Sequence, residues 1–129
     1  MVQSLNTKTS QAFPAIAYVG LGSIYGNVLV GDKAFEFFNE ANVEDAIQIP
    51  WDTIDHVEGV VTKNHKIGRQ IVIVLLPQGR SKRRNHLRFS SKSSGTILKL
   101  VRQELGNDKV VKLPTVIDKL LNLFSKRKG

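Results

Sequence analysis

The feature that most constrains the fold is a strand–turn–strand pattern in the first half of the chain. Two apolar runs, Val28–Val30 and Ala34–Asn39, flank the turn residues Gly31–Lys33. A Gly-Asp pair tolerates the left-handed backbone of a tight hairpin turn. We therefore predict two antiparallel strands, with Phe35 and Phe37 on the same face, toward the core.

Other segments also favour strands. Ile71–Leu76 is β-branched at four of its six positions and ends at Pro77, so it is predicted to be a strand that needs cover on both faces. Glycine-rich Val19–Asn27 is predicted to be a connection. In Asn85–Ser90 the alternation places Leu87 and Phe89 inward, and His86 and Arg88 outward. The remaining predicted strands are Ala12–Tyr18, Ile47–Ile49 and Ile54–Val60.

Two helices are predicted after the strands. The first, Ser94–Leu105, has one apolar face, can be capped by Ser93 or Ser94, and ends at Gly106. The second begins near Pro114 and carries an apolar stripe at three-four spacing. The stripe is predicted to pack on the chain's own sheet or to bind a partner: a protein, a second copy of the chain, or peripherally a membrane. Its members are Leu113, Val116, Ile117, Leu120, Leu121 and Phe124.

Composition narrows the class of protein. A chain of 129 residues has the length of a single domain. It has no cysteine, which excludes disulfides, thiolate zinc sites and cysteine nucleophiles. The N-terminal stretch lacks the charge and apolar order of a signal peptide, and no apolar run approaches the ~20 residues of a membrane span. We expect a cytoplasmic protein.

Charge is distributed unevenly along the chain. The net charge is +8, but the balance is −6 from Met1 to Gly59 and +14 from Val60 to Gly129. This asymmetry favours an acidic partner for the second half. The alternative is that the two halves neutralise each other within one folded sheet.

Five basic residues form a candidate site for an anion or a nucleic acid. They are Arg80, Lys82, Arg83, Arg84 and Arg88. They could neutralise phosphates along a sheet edge. However, this segment has neither interleaved aromatic residues for base stacking nor a recognisable recognition helix, so nucleic-acid binding is the second choice.

No set of residues predicts catalysis, a metal site or a cofactor. The acidic residues of the first half occupy alternating or turn positions, where a solvated face explains them. His56 and Glu58 share a strand face, but two ligands do not make a metal site. His86 lies near Arg84 and Arg88 and could accept a phosphoryl group, although a surface histidine explains it more simply.

Three blocks resemble a small bacterial family: Met1–Lys8, Gly31–Phe37 and Ile47–Asp55. Its members, sometimes labelled ManO, accompany operons for mannose-class sugar phosphotransferase transporters. The resemblance spans the chain to about Gly106. Gly31 and Ile49-Pro50-Trp51 are also similar to bacterial pleckstrin-homology-like domains, in which one C-terminal helix closes a strongly bent antiparallel sheet.

The resemblance implies a mainly β, α+β protein: a pleckstrin-homology-like bent sheet or partly open barrel of about seven antiparallel strands. The expected organisation is a flexible segment over residues 1–11, this domain over residues 12–106, and an amphipathic tail helix over residues 107–129. The expected function is a non-enzymatic accessory or regulatory protein of a mannose-class phosphotransferase system that binds another protein, such as a phosphotransferase component. The alternative is a nucleic-acid-binding transcriptional regulator of the mannose operon.

Overall fold

The computed structural model describes residues 3–42, 44–61, 67–77 and 85–112. These residues form a mainly β fold with one α-helix, α1 (Ser94–Leu105). Two short 3-10 turns cover Trp51–Thr53 and Asn107–Lys109. The strands are β1 (Phe13–Val19), β2 (Gly22–Val30), β3 (Ala34–Asn39), β4 (Ala46–Pro50), β5 (Ile54–Val61), β6 (Ile67–Leu75), β7 (His86–Ser90) and β8 (Val110–Lys112).

The eight strands form one sheet in the order β4-β3-β2-β1-β7-β6-β5-β8. Two antiparallel meanders, β1–β4 and β5–β7, meet at a seam where Ile16–Tyr18 pairs with Arg88–Ser90. The prediction of about seven antiparallel strands is corrected by β8, which pairs with β5 in parallel. Within the described residues the sheet is open, with β4 and β8 at its edges.

The sheet bends so that β3 faces β7 across the core. These strands are three positions apart in the sheet order, which is about 14 Å in a flat sheet. Yet the ring centroid of Phe89 lies 5.1 Å from that of Phe35 and 5.8 Å from that of Phe37. Contacts this short require strong curvature, which encloses the core on the concave face.

The predicted hairpin is confirmed, although Gly31 does not adopt the left-handed backbone that the Gly-Asp pair indicated. Val30 pairs with Phe35, and the Gly31 N–H donates to the Ala34 carbonyl at 3.1 Å. Phe35 and Phe37 are buried on the core face, as expected. The β6 strand is also confirmed: Ile71 and Ile73 join the core, and Val72 and Val74 are buried on the opposite, outer face.

The prediction of a connection over Val19–Asn27 is wrong, because β2 already begins at Gly22. The actual turn is the pair Gly20-Leu21, with Gly20 at φ +58°. Gly26 lies inside the strand, where a Cβ would come within 2.2 Å of the Phe38 carbonyl oxygen. Glycine at this position permits close approach of the neighbouring strand.

The α1 helix packs on the core face and has the predicted bounds. Leu98 lies against Gly59, where a Cβ would be 2.6 Å from the leucine Cδ1. Gly106 ends the helix at φ +113°, as predicted. The capping prediction is corrected: the Ser93 side chain makes no cap hydrogen bond, and the Ser94 hydroxyl donates to the Gly68 carbonyl at 2.6 Å.

The terminal segments differ from their sequence descriptions. Residues 3–10, expected to be flexible, lie along the β2–β3 hairpin, and we call them the N-terminal strap. Within it, the Ser10 N–H donates to the Val30 carbonyl at 2.7 Å, and Thr9 forms a bridge with Gly31. At the other end, residues 107–112 form a 3-10 turn and β8, while the apolar stripe from Leu113 to Phe124 lies outside the described residues.

Candidate functional site

Of the predicted site residues, only Arg88 falls within the described part of the chain. Arg80, Lys82, Arg83 and Arg84 lie outside the described residues, as does the apolar tail stripe. Arg88 is exposed on the outer face of β7, as its alternation predicts. Its neighbours therefore define what this face can bind.

Arg88 belongs to a row of side chains that crosses four strands. It pairs with Tyr18 on β1 and with Val72 on β6, and Val72 pairs in turn with Glu58 on β5. The next row places Val74 between His86 and His56 in the same way. The sheet therefore brings together on one face polar residues that are well separated in sequence.

Two carboxylates lie close to His56, Glu58 through strand alternation and Asp55 beside a strand irregularity. The pairing of β5 with β6 shifts register between Ile54 and His56. Asp55 Oδ2 lies 2.5 Å from His56 Nδ1, and Glu58 Oε2 lies 3.9 Å from His56 Nε2. Among the described residues, no three His, Cys, Asp or Glu side chains are close enough to hold a metal ion. The three side chains are partly exposed on the sheet surface.

The β1–β2 hairpin exposes an apolar and aromatic surface beside Arg88. Tyr18 and Val19 are 44% and 51% exposed, Tyr25 is 63% exposed, and Leu21 at the turn is fully exposed. We call Tyr18, Val19, Leu21 and Tyr25 the hairpin patch; Tyr18 and Tyr25 lie on the outer face of the sheet, Leu21 is at the tip, and Val19 lies on the other side of the hairpin end. Tyrosine and arginine are the residue types that most often dominate the binding energy of protein interfaces. Sequence reasoning missed this patch because it described most of the hairpin as a connection.

A cleft of about 480 Å³ lies next to the hairpin patch. Pro14, Ile16 and Tyr25 form an apolar wall, while Glu40, Arg69 and Lys92 supply charged groups at its border. We call this space the β1 cleft. Its floor is held in place by Ser91, whose hydroxyl donates to the Pro14 carbonyl at 2.8 Å and accepts from the Ser93 N–H at 3.1 Å.

Another polar cluster, on the outer face of β3, holds the N-terminal strap in place. Its centre is Glu36, which is fully buried. Its carboxylate accepts hydrogen bonds from the Ser4 hydroxyl, from the Leu5 N–H at 3.0 Å, from Asn6 Nδ2 at 2.8 Å and from Gln48 Nε2 at 2.7 Å. Four neutral donors thus compensate the desolvation of one buried carboxylate.

The same strap also forms hydrogen bonds with the β2–β3 turn. Asn6 Oδ1 accepts the N–H groups of Lys33 and Ala34 at 2.8 and 2.7 Å. Asp32 accepts the Thr7 hydroxyl and the Lys8 N–H, and these hydrogen bonds lower its pKa to about 2. The Trp51 indole N–H donates to the Gly31 carbonyl at 2.9 Å. The three resemblance blocks therefore converge in space.

The part of the chain that the structure describes defines a class: a mainly β fold with one open, bent sheet and one helix. Within the described residues, no helix is long and apolar enough to cross a membrane. The sequence matches the model of a family described as "Domain of unknown function (DUF956)" over residues 1–124, and the chain belongs to this family. The match extends beyond Gly106, where the sequence resemblance ended, into the tail.

Other comparisons bear on the fold alone. The chain is similar to a structure titled "Crystal structure of the C-terminal domain of an unknown protein from Leishmania infantum", with a TM-score of 0.58 at 11% sequence identity. The alignment covers 76% of this chain and 84% of that one. No curated protein matches the sequence.

Proposed function

We propose that the protein is a non-enzymatic binding module that acts by contact with another protein. The hairpin patch is the observation that carries this proposal. A two-residue turn presents Leu21 in full exposure, with Val19 beside it and two half-exposed tyrosines along the strands. A partner that covers this patch would bury its apolar area, which favours binding. Arg88, beside Tyr18, borders the patch.

The family resemblance supports a more specific role, as an accessory or regulatory protein of a mannose-class sugar phosphotransferase system. The three blocks that carry it, in the strap, the β2–β3 turn and the β4 end, form one hydrogen-bonded unit. A pleckstrin-homology-like fold is part of the same proposal. It is supported by the two meanders and by the C-terminal helix on the concave face.

The test is binding of the full-length chain to the purified cytoplasmic components of a mannose-class transporter, measured by calorimetry. We expect Leu21→Ser and Tyr18→Ala each to weaken binding by about tenfold or more, since Leu21 is fully exposed at the tip and Tyr18 lies beside Arg88. Val111→Ser is the matched control, because Val111 is an exposed apolar residue on β8, away from the patch.

The outcomes separate the parts of the proposal. If no component binds, the phosphotransferase role is wrong. If a component binds wild type and both patch variants equally, the contact surface is elsewhere, and the apolar tail stripe becomes the site to test.

The nucleic-acid-binding regulator remains the alternative, because the second half carries a balance of +14 and Arg88 is exposed. It predicts duplex binding that falls steeply with salt as counterions are released. Anisotropy titrations at two ionic strengths would test this, comparing wild type with a variant in which Arg80, Lys82, Arg83 and Arg84 are all changed to serine. Absence of binding at low salt would exclude the alternative.

A further inference from the structure

The β1 cleft has the size and composition of a small-molecule site. Its volume of about 480 Å³ falls within the range of roughly 300–1,000 Å³ that is typical of ligand pockets. Such pockets combine apolar walls with a few polar groups. Here the wall is Pro14, Ile16 and Tyr25, and the ring of Tyr25 offers a flat surface for packing another ring.

Two cations at the cleft are available to a ligand. Arg69 comes from β6 and Lys92 from the short link between β7 and α1, and both are exposed. Among the described residues, neither forms an ion pair with a carboxylate. An oxyanion placed between them would receive charge-assisted hydrogen bonds, which are stronger than those between neutral groups.

The groups around the cleft suit a ligand that carries one anionic group. The amino end of α1 is at the same border, and its first turn contains no acidic residue. Glu40 borders the cleft too, placed by its N–H, which donates to the Tyr25 carbonyl at 2.9 Å. Its carboxylate would accept hydrogen bonds from neutral donors on the ligand and would repel a second anionic group.

We propose that the β1 cleft binds a small molecule that carries one phosphate or carboxylate group on an apolar ring. The anionic group lies between Arg69 and Lys92, and the ring packs on Tyr25 and Ile16. This activity is separate from protein binding by the hairpin patch, although Tyr25 lies at the border of both surfaces.

The test is an NMR titration of the full-length chain with phenyl phosphate and with benzoate. Inorganic phosphate tests binding of the anionic group alone, and benzyl alcohol tests binding of the ring alone. We expect saturable shifts of the amides of Ile16, Ser91 and Ser93 with at least one of the two combined probes, and weaker binding of both partial probes. The tighter of the two combined probes identifies whether the anion is phosphate or carboxylate.

Variants identify the residues that bind. Arg69→Gln and Lys92→Gln should each weaken binding by about tenfold, as expected for loss of one charge-assisted hydrogen bond. Lys99→Gln is the matched control, because Lys99 is an exposed lysine on α1 that does not border the cleft. Tyr25→Ser should reduce the preference for phenyl phosphate over inorganic phosphate.

Three results would overturn the proposal: no saturable shift with either combined probe, shifts centred elsewhere in the chain, or equal weakening by the Lys99 control. Each variant is first compared with wild type in its spectrum away from the cleft, so that loss of folding is recognised. Because Arg69 and Lys92 lie outside the hairpin patch, their variants should keep protein binding. Failure of this proposal is therefore distinguishable from failure of the proposed function.

Discussion

The carboxylate of Glu36 is buried without an ion pair among the described residues. Buried charges are rarely tolerated unless they are paired or well hydrogen bonded. Here both oxygens are occupied by donors, of which three come from the N-terminal strap and the fourth from Gln48 on β4. One side chain therefore links the start of the chain to two strands.

Replacing Glu36 by glutamine should release the strap. The amide keeps the size of the side chain but directs an NH2 group at donors that need an acceptor. We expect Glu36→Gln to lower the free energy of unfolding by about 1–3 kcal/mol, measured by chemical denaturation, and to accelerate proteolysis within residues 3–10. Glu40→Gln, which changes an exposed glutamate, is the control. Equal stability of Glu36→Gln and wild type would contradict the role given to Glu36.

Asp32 should make the strap contact sensitive to acid. Its pKa is lowered from about 3.8 to about 2 by the Thr7 hydroxyl and the Lys8 N–H, so the folded state favours the ionised form. A lowered pKa contributes stability that is complete above the unfolded value and is lost as the pH falls through the folded value. We expect amide protection in the strap to decline between about pH 4 and pH 2.

The Asp32→Asn variant should lose this decline, because an amide does not titrate. Hydrogen exchange of the strap amides across that pH range would measure it. Asp52→Asn changes an exposed aspartate outside the strap contacts and should behave as wild type. A strap that responds to acid identically in wild type and Asp32→Asn would show that another group controls it.

At the scale of elements, the sequence predicted those strands and helices that depend on residues close together in the chain. The β2–β3 hairpin follows from its turn residues, and α1 follows from its apolar spacing and from Gly106. The first half of β2 was missed because Gly22 and Gly26 resemble loop residues, whereas Gly26 is required by a neighbouring strand. The three residues of β8 are too few for a periodic pattern, and their pairing with β5 depends on the tertiary fold.

The same distinction holds for the candidate surfaces. Alternation correctly placed Arg88 outward, but its pairing with Tyr18 depends on the register between β1 and β7. The β1 cleft assembles residues from β1, β2, β6, β7 and the link between β7 and α1, which no single stretch of sequence reveals. The strap network likewise joins residues more than twenty positions apart.

The β3 strand offers a test of the core through two adjacent phenylalanines. Phe37 is buried against Phe89, while Phe38 lies on the other face and is half-buried. We expect Phe37→Ala to lower the free energy of unfolding by about 3–5 kcal/mol, measured by denaturant titration. Phe38→Ala should cost clearly less. Similar losses for the two variants would contradict the assigned faces of β3.

At the scale of the whole molecule, the apolar stripe of the tail should be buried by some partner. Its residues lie outside the described part of the chain, so the prediction rests on sequence periodicity. If the stripe packs on the same chain or on a second copy, amides from Val116 to Phe124 should be protected in the isolated protein. Changing Leu120 and Leu121 to serine should then lower the melting temperature or dissociate a dimer in sedimentation.

If the tail serves a membrane or another protein, its amides should exchange freely until vesicles or the partner are added. Serine replacement of Lys126 and Lys128 is the control for the apolar stripe, since it changes charge and leaves the apolar residues in place. Free exchange under all of these conditions would show that the periodicity does not form a helix.

The seam between the two meanders has a consequence for the rate of folding. Within each meander, neighbouring strands are joined in chain order, so their contacts close short loops. The seam instead pairs the first strand with the seventh, and its three residue pairs must offset a much larger loss of chain entropy. Because distant contacts form slowly, we expect the two meanders to assemble early and their joining along β1 and β7 to limit the folding rate.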